Sequence, residues 1–368
     1  MNDFLSQKFN AARLLKFFEK DKSVLGIDIG TSSLKIVQAR REKERAVLET
    51  YGELSTAAYG SKESGRAALL MDEKVSEMII DLKKEAGVTA KRGIVALPLR
   101  YSFITVIEMP ELSDKELAGA VSYEARRYIP IAVSNVILDW WKIPSDETSE
   151  RTKKGTISIL LVAVQREIVD KYRRILENAQ IESLGFEVEV FSAARLLNAR
   201  PNQANMFIDI GALSTKIAIA ESGVIRSVHH VDRASQQLTL TISQSLGIDF
   251  KRAEEMKRAV GIIQRPEAAG VRHTILPLID SIFDEADRLR SNFRRKTGVA
   301  VDKAMVLGGG GLMPGFLDYA IDRLGIEVLL ANPFQSFEYP IFLQSRLKEI
   351  APIFGISGSL ALRILGQE

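Results

Sequence analysis

Cysteine is absent from this sequence of 368 residues, and histidine occurs only as His229, His230 and His273. Without cysteine the chain cannot form disulfides, use a thiolate nucleophile or bind zinc through sulfur. So few histidines, two of them adjacent, do not make a histidine-based metal centre, and we expect structural roles for them. A chain without cysteine fits a reducing compartment such as the cytosol.

Long apolar segments are also missing. No run reaches the roughly 20 residues that a membrane-spanning helix needs, and the N-terminus lacks the charged-then-apolar layout of a signal peptide. The net charge is +3, from 50 basic and 47 acidic residues, so the composition gives no electrostatic reason to expect nucleic acid as a partner. We therefore expect a cytoplasmic protein that reaches membranes only through a surface or a partner.

The sequence does contain an internal repeat. The segment GIDIGTSSLKI, residues 26–36, aligns with FIDIGALSTKI, residues 207–217. Each copy has an apolar strand, a glycine turn and a second strand, which together predict a β-hairpin. Copies this far apart indicate two related lobes rather than a solenoid, whose repeats are about 20–50 residues long.

Strands and helices alternate around the repeat, which predicts an α/β fold. Hydrophobic spacing predicts a helical stretch over Val231–Val260 and a final helix that returns to the first lobe. A βαββα segment interrupts that lobe, and residues 145–155 within it predict a polar, exposed hairpin tip. The expected parts are an N-terminal amphipathic segment (1–22), the first part of lobe one (23–91), the inserted subdomain (92–179), a connecting segment of lobe one (180–204), lobe two (205–345) and the C-terminal helix (346–368).

The two hairpin turns are candidate phosphate-binding elements, because glycine turns present successive backbone N–H groups to an anion. Asp28 and Asp209 occupy equivalent positions and would converge on Mg²⁺, through water, since Mg²⁺ keeps much of its hydration shell. A strand with an aspartate at its edge explains either copy alone, but two copies in register favour phosphate binding. The other candidate residues are Gly30, Thr31, Ser32, Ser33 and Lys35 in the first turn, and Gly211, Ala212, Leu213, Ser214 and Lys216 in the second.

A second glycine turn follows the apolar strand Ala304–Leu307. It allows the backbone to approach a flat ligand such as adenosine, although a flexible turn is the alternative. Glu254 and Lys257 are three residues apart on a predicted helix, so they share a face and are candidates to bind a ribose and a base edge. A solvated charge pair explains them equally well. The residues of this turn are Gly308, Gly309, Gly310, Gly311 and Leu312.

These motifs resemble those of the superfamily that contains actin, Hsp70 and sugar kinases. GIDIGTSSLK and FIDIGALSTK are similar to its two phosphate motifs, LGGGG to its adenosine motif, and Ala253-Glu254 with Lys257 to its nucleotide-contact helix. Within the superfamily the sequence most resembles the type IV pilus assembly protein PilM family, which is related to FtsA. The supporting segments are VALP (95–98), EARRYIP (124–130), DWW (139–141), EVEVFSAARL (from Glu187) and SLALR (359–363).

This resemblance implies an actin-like, two-lobed α/β fold that binds ATP and Mg²⁺, with slow or absent hydrolysis. It implies a scaffold of the inner-membrane pilus assembly platform, on the cytoplasmic face, that serves twitching motility. Its partners would be other platform proteins, a second copy of itself and the cytoplasmic N-terminal peptide of PilN, which would lie in a groove between lobe one and the insertion. Glu189 is the candidate that positions the attacking water, with an acid that stabilises a helix N-terminus as the alternative.

Two other functions remain open. One is an FtsA-like, membrane-associated filament protein of cell division, from which we would expect a linker and an amphipathic helix after the fold. The other is a weak ATPase of the Hsp70 or sugar-kinase type. Within residues 1–22, Phe4, Leu5 and Phe9 recur at helical spacing. We expect that segment to dock on the protein itself or to fray, with a position on a membrane surface as the alternative.

Overall fold

The computed structural model describes residues 23–60, 65–143, 155–197, 200 and 203–366. The expected N-terminal segment (1–22) and residues 145–154 of the expected polar hairpin tip (145–155) lie outside these residues. The strands are β1 (Ser23–Ile29), β2 (Ser33–Glu42), β3 (Arg45–Ser55), β4 (Arg92–Leu97), β5 (Ser102–Pro110), β6 (Val136–Lys142), β7 (Thr156–Gln165), β8 (Glu182–Val188), β9 (Ala204–Ile210), β10 (Thr215–Glu221), β11 (Val224–Val231), β12 (Val301–Leu307), β13 (Glu327–Leu330) and β14 (Phe337–Glu338). The α-helices are α1 (Asp72–Glu85), α2 (Asp114–Glu124), α3 (Arg166–Asn178), α4 (Glu189–Arg195), α5 (Ser235–Leu246), α6 (Phe250–Val260), α7 (Ala269–Thr297), α8 (Phe316–Leu324), α9 (Gln344–Ile350) and α10 (Gly355–Ile364).

Two sheets repeat one topology. The six-stranded sheet has the order β14-β3-β2-β1-β4-β8, and the five-stranded sheet has the order β11-β10-β9-β12-β13. In the first sheet β1 is antiparallel to β2 and parallel to β4. In the second sheet β9 is antiparallel to β10 and parallel to β12. The duplicated hairpins that the sequence repeat predicts are therefore confirmed, and each hairpin is extended by a third antiparallel strand, β3 or β11.

The C-terminal helix packs directly on the first hairpin. Helix α10 lies against β1, β2 and β4, and Gly26 of β1 faces it. A Cβ atom on Gly26 would lie 2.0 Å from the carbonyl oxygen of Ser357 and 2.7 Å from the amide nitrogen of Ala361. Only glycine permits this close approach. The last helix thus lies on lobe one, next to the strand that leads into the first turn.

One expected helix is wrong. In place of a single helical stretch over Val231–Val260, the structure has the end of β11 followed by the two helices α5 and α6. Gly247 ends α5 in the left-handed conformation, at φ 63°, a common way to stop a helix. Asp249 then begins α6, because its side chain accepts a hydrogen bond from the backbone N–H of Arg252 at 2.8 Å.

The inserted subdomain is a three-stranded sheet, β5-β7-β6, with helix α2. Ser113 and Glu116 form a capping box that begins α2. One face of the sheet packs on α2, and the other face joins the main core through side chains that include Leu160 and Val162. None of the helices in the described ranges is long and apolar enough to cross a membrane.

The subdomain is narrower than the expected range of 92–179. Strand β4 pairs with β1 and β8, so it belongs to the six-stranded sheet. Helix α3 packs on α1 and β8, also outside the three-stranded sheet. Strand β4 is buried on both faces, as parallel strands commonly are. Because such a strand is apolar throughout, its sequence does not indicate which sheet it joins. The three-stranded sheet spans residues 102–165.

Candidate nucleotide-binding site

A cavity of about 340 Å³ lies between the two lobes. Its volume is in the range of small-molecule sites, roughly 300–1,000 Å³. Both hairpin turns, the glycine turn after β12 and the first residue of α4 line it. Of the candidate residues only Gly311 is not part of the lining, and a Cβ atom there would instead lie 2.3 Å from Cγ1 of Val306. The other residues predicted from the sequence to form the nucleotide site therefore line one cavity.

The two hairpin turns have the same backbone geometry. The N–H of Gly30 donates to the carbonyl of Ser33 at 3.1 Å, and the N–H of Gly211 donates to the carbonyl of Ser214 at 3.1 Å. A Cβ atom would lie 2.8 Å from the Ser33 oxygen in the first turn and 2.9 Å from the Ser214 oxygen in the second. Both turns are therefore too tight for a side chain at the glycine.

Each hairpin also presents a row of polar side chains across its three strands, and all members of both rows line the cavity. The pairing register puts the members of each row directly opposite one another on neighbouring strands. The rows are Asp28–Lys35–Glu53 on β1, β2 and β3, and Asp209–Lys216–His230 on β9, β10 and β11. The third members were not predicted from the sequence, because the visible repeat ends before the third strand.

Lys216 joins two carboxylates. Its Nζ lies 3.0 Å from Oε2 of Glu189 and 3.1 Å from Oδ2 of Asp209. Burial opposes the charge of Lys216, but the two carboxylates outweigh this effect and raise its pKa. Burial raises the pKa of Glu189 against the attraction of Lys216. In lobe one the corresponding pair is looser, with 3.6 Å between Nζ of Lys35 and Oδ2 of Asp28.

Glu254 and Lys257 form a buried ion pair, so the alternative of a solvated pair is wrong. Their Oε2 and Nζ atoms are 2.6 Å apart. Lys257 also donates to the hydroxyls of Ser235 and Thr239, at 2.7 and 2.8 Å. Burial raises the pKa of Glu254, but Lys257, Thr239 and Arg258 outweigh it and hold that pKa below its usual range. The pair lines the cavity and ties α6 to α5.

The glycine turn lies against the end of β9. Gly308 has φ 79°, and a Cβ atom there would lie 2.5 Å from the carbonyl oxygen of Ile210 and 2.6 Å from Oδ1 of Asp209. Its N–H donates to the carbonyl of Pro352 at 3.0 Å. A short 3₁₀ turn, Gly309–Leu312, follows. The glycine turn therefore lies so close to the end of the second hairpin that no side chain fits between them at position 308.

Residues 26–365 match the type IV pilus assembly protein PilM family. The chain belongs to this family. The solved structure of a PilM-PilN type IV pilus biogenesis complex is similar over 93% of this chain and 98% of that one, with a TM-score of 0.78 and 25% sequence identity. Cell division protein FtsA of Streptococcus pneumoniae serotype 2 is 22% identical over 353 residues, which cover 84% of this chain and 75% of FtsA.

The actin-like fold is confirmed by wider structural similarity. MreB 5 of Spiroplasma citri, solved bound to AMPPNP, aligns over 92% of this chain and 95% of its own, with a TM-score of 0.52 and 14% identity. The fold of this PilM family member is thus the two-lobed α/β fold expected from the sequence.

The junction with the inserted subdomain supplies part of the cavity wall that the sequence motifs did not indicate. Pro98 and Arg100, between β4 and β5, line the cavity together with Tyr172 of α3. Burial raises the pKa of the Tyr172 hydroxyl. The backbone N–H of Leu99 donates to Oε1 of Glu189 at 2.8 Å. Pro98 ends the VALP segment, whereas Arg100 and Tyr172 lie in a connection and a helix without a recognisable motif.

The chemistry of the cavity fits Mg²⁺ held through water. In the part of the chain that the structure describes, no group of three or more His, Asp or Glu side chains could hold a metal ion directly. Asp28 and Asp209 nevertheless line the cavity from opposite hairpins and offer the hard oxygen atoms that bind hydrated Mg²⁺.

Proposed function

We propose that this protein is an ATP-binding scaffold of the type IV pilus inner-membrane assembly platform, located on the cytoplasmic face of that membrane. The observation that carries the nucleotide assignment is the convergence of both Asp–Lys hairpins and the glycine turn on one cavity. Glycine turns and two lysines supply the backbone donors and positive charge that a triphosphate requires. Each charge-assisted hydrogen bond contributes about 1.5–3 kcal/mol.

Asp28 and Asp209 are the residues that would hold the water ligands of Mg²⁺. When bound, the ion supplies neutralisation of the β- and γ-phosphate charge. Glu189 is the candidate base, but both of its carboxylate oxygens already accept from donors, the N–H of Leu99 and the ammonium of Lys216. We therefore expect slow ATP turnover, below the usual enzyme range of about 1–1,000 per second.

The proposed partner is the cytoplasmic N-terminal peptide of PilN, in the groove between lobe one and the three-stranded sheet. The apolar side chains of Ile104, Val106 and Trp141 are only partly buried where the three-stranded sheet packs on the main core, and β5 there also contacts β11 of lobe two. Trp141 packs edge-on against Phe191, with 5.3 Å between the ring centroids. An edge strand beside partly open apolar side chains suits an extended peptide, and a PilM-PilN complex is among the structures similar to this chain.

The proposal is tested by measuring two affinities of the full-length protein, for ATP with Mg²⁺ by calorimetry and for a fluorescent PilN N-terminal peptide by anisotropy. Val106→Glu places a charge among the apolar side chains and is expected to weaken peptide binding at least about tenfold. Glu108→Gln, at an exposed position of the same strand, is the matched control. Unchanged peptide affinity in the Val106 variant would remove the peptide from this groove, and no ATP binding would refute the nucleotide site.

A role in cell division is the second candidate, favoured by the similarity to FtsA. It predicts that ATP induces polymers of the protein that sediment and are visible by electron microscopy. Peptide binding without polymers would favour the pilus scaffold, whereas polymers without peptide binding would favour the FtsA-like role.

A further inference from the structure

Lys216 stands between the two carboxylates that ATP cleavage would use in this cavity. The side chain of Lys216 is 13% exposed, and those of Glu189 and Asp209 are 11% exposed. Little water therefore screens the 3.0 Å and 3.1 Å contacts of the ammonium. The second oxygen of Glu189 accepts from the N–H of Leu99 at 2.8 Å. Glu189 is thus held by a donor on each side.

We propose that Lys216 is a positioning residue that restrains Glu189 and so preserves bound ATP from cleavage. The proposal rests on the ATP site proposed above. In cleavage, a water oxygen bonds to the γ-phosphorus, the bond from that phosphorus to the β,γ-bridging oxygen breaks, and ADP and phosphate leave. The proton of the water passes to a carboxylate base. Each oxygen atom of Glu189 already accepts from one donor, so the water must use a remaining lone pair of a carboxylate that Lys216 and the N–H of Leu99 hold in place.

The restraint is particular to lobe two, although the hairpin is duplicated. The equivalent Lys35 faces Asp28 at 3.6 Å, and its other cross-strand neighbour, Glu53, is exposed. Glu189 enters from α4, outside the repeated hairpin, and reaches only the lysine of the second copy. The same Asp–Lys pair therefore has an additional role on the side of the cavity that carries the candidate base.

Single-turnover cleavage of preloaded ATP, in full-length protein with Mg²⁺, separates the chemical step from binding. We expect Lys216→Met to cleave bound ATP at least tenfold faster than the wild type. Lys216→Arg keeps the charge and is expected to show a smaller acceleration than Lys216→Met. Lys216→Met combined with Glu189→Gln is expected to lose the acceleration. Calorimetry should show weaker ATP binding by Lys216→Met, because the phosphates lose a cation, whereas a general loosening of the site would lower both affinity and rate.

Lys216→Met removes the ammonium between two buried carboxylates, which destabilises the fold. Lys216→Gln is therefore a second variant, because its side-chain amide keeps an N–H donor for these carboxylates. It is expected to show a smaller acceleration. A folded variant of either kind that binds ATP and cleaves it no faster than the wild type overturns the restraint, and so does an acceleration that persists after Glu189→Gln. Absence of ATP binding in the wild type would instead overturn the proposed nucleotide site, and the restraint with it.

Discussion

Arg363 donates a hydrogen bond to the buried carboxylate of Glu187. This contact ties the last helix, α10, to the end of β8, just before α4 begins. Arg195 of α4 pairs with the same carboxylate, with 2.6 Å between Nη2 and Oε2, and Ser192 donates to it as well. Two segments that are far apart in the sequence, EVEVFSAARL and SLALR, therefore meet in one ion-pair network. This network fixes the helix whose first residue is Glu189.

Glu187→Gln is expected to lower the free energy of unfolding by about 3–5 kcal/mol, because it removes the charge of the buried carboxylate that pairs with both Arg195 and Arg363. Urea unfolding measures the change. The matched control is Glu338→Gln, which removes the exposed partner of Arg45 and is expected to have no measurable effect. A loss below about 1 kcal/mol for Glu187→Gln would mean that the network adds no more than a surface pair.

Asp28→Ala and Asp209→Ala are each expected to weaken Mg²⁺-dependent ATP binding at least about tenfold, or about 1.4 kcal/mol. Each substitution removes a carboxylate that lines the cavity and leaves its lysine without that partner. Calorimetry with Mg²⁺ and with a chelator separates the metal-dependent part. Glu349→Gln on the exposed face of α9 is the control. Unchanged affinity in both aspartate variants would place the metal elsewhere.

Gly308→Ala and Gly309→Ala form a matched pair in the glycine turn. Alanine at position 308 would be strained at φ 79° and would bring its Cβ to 2.5 Å from the Ile210 carbonyl. We expect a loss of about 1–3 kcal/mol in unfolding free energy. Position 309 has no heavy atom within 4 Å of an added Cβ, so Gly309→Ala should leave stability nearly unchanged. Equal losses in the two variants would contradict the close contact between this turn and β9.

Glu254 gives a prediction about pH. Its pKa in the folded protein is lowered, although burial raises it, because Lys257, Thr239 and Arg258 act in the opposite direction. Glu254 therefore contributes its full stabilisation at pH values above its pKa in the unfolded chain, about 4.3. This contribution is lost as the pH falls through the lower pKa that Glu254 has in the folded protein. The difference in unfolding free energy between the wild type and Glu254→Gln should shrink from pH 6 to pH 3. A constant difference for Glu254→Gln over this pH range would refute the assignment.

The sequence predicted the parts of the site that depend on local repetition and missed those that depend on long-range packing. Asp28 and Asp209 could be identified because each lies in a motif that repeats in register. The contact between Glu189 and Lys216 could not, because it joins a helix outside the repeat to a strand in the other lobe. Strand β4 was assigned to the insertion because a buried apolar strand has the same pattern in any sheet.

The last prediction concerns the three-stranded sheet as a partner-binding module. Ser102 on β5 is paired with Val164 on β7, so the chain enters and leaves the sheet at neighbouring points. Residues 102–165 can therefore be removed and the ends rejoined by a short linker. We expect the shortened protein to bind ATP, because the hairpins and the glycine turn remain, and to lose PilN-peptide binding.

Circular dichroism and thermal unfolding establish that the shortened protein is folded, which matters because one face of the removed sheet packs on the main core. Removal of the polar tip alone, residues 145–154, is the control and should change neither affinity. The shortened protein tests the groove against the alternative that the sheet only supports lobe one. If it folds, binds ATP and still binds the peptide with wild-type affinity, the peptide site does not involve the sheet. If peptide binding disappears while ATP binding persists, the two sites are separable, as expected when the peptide depends on β5 and β6 and the nucleotide on the two duplicated hairpins.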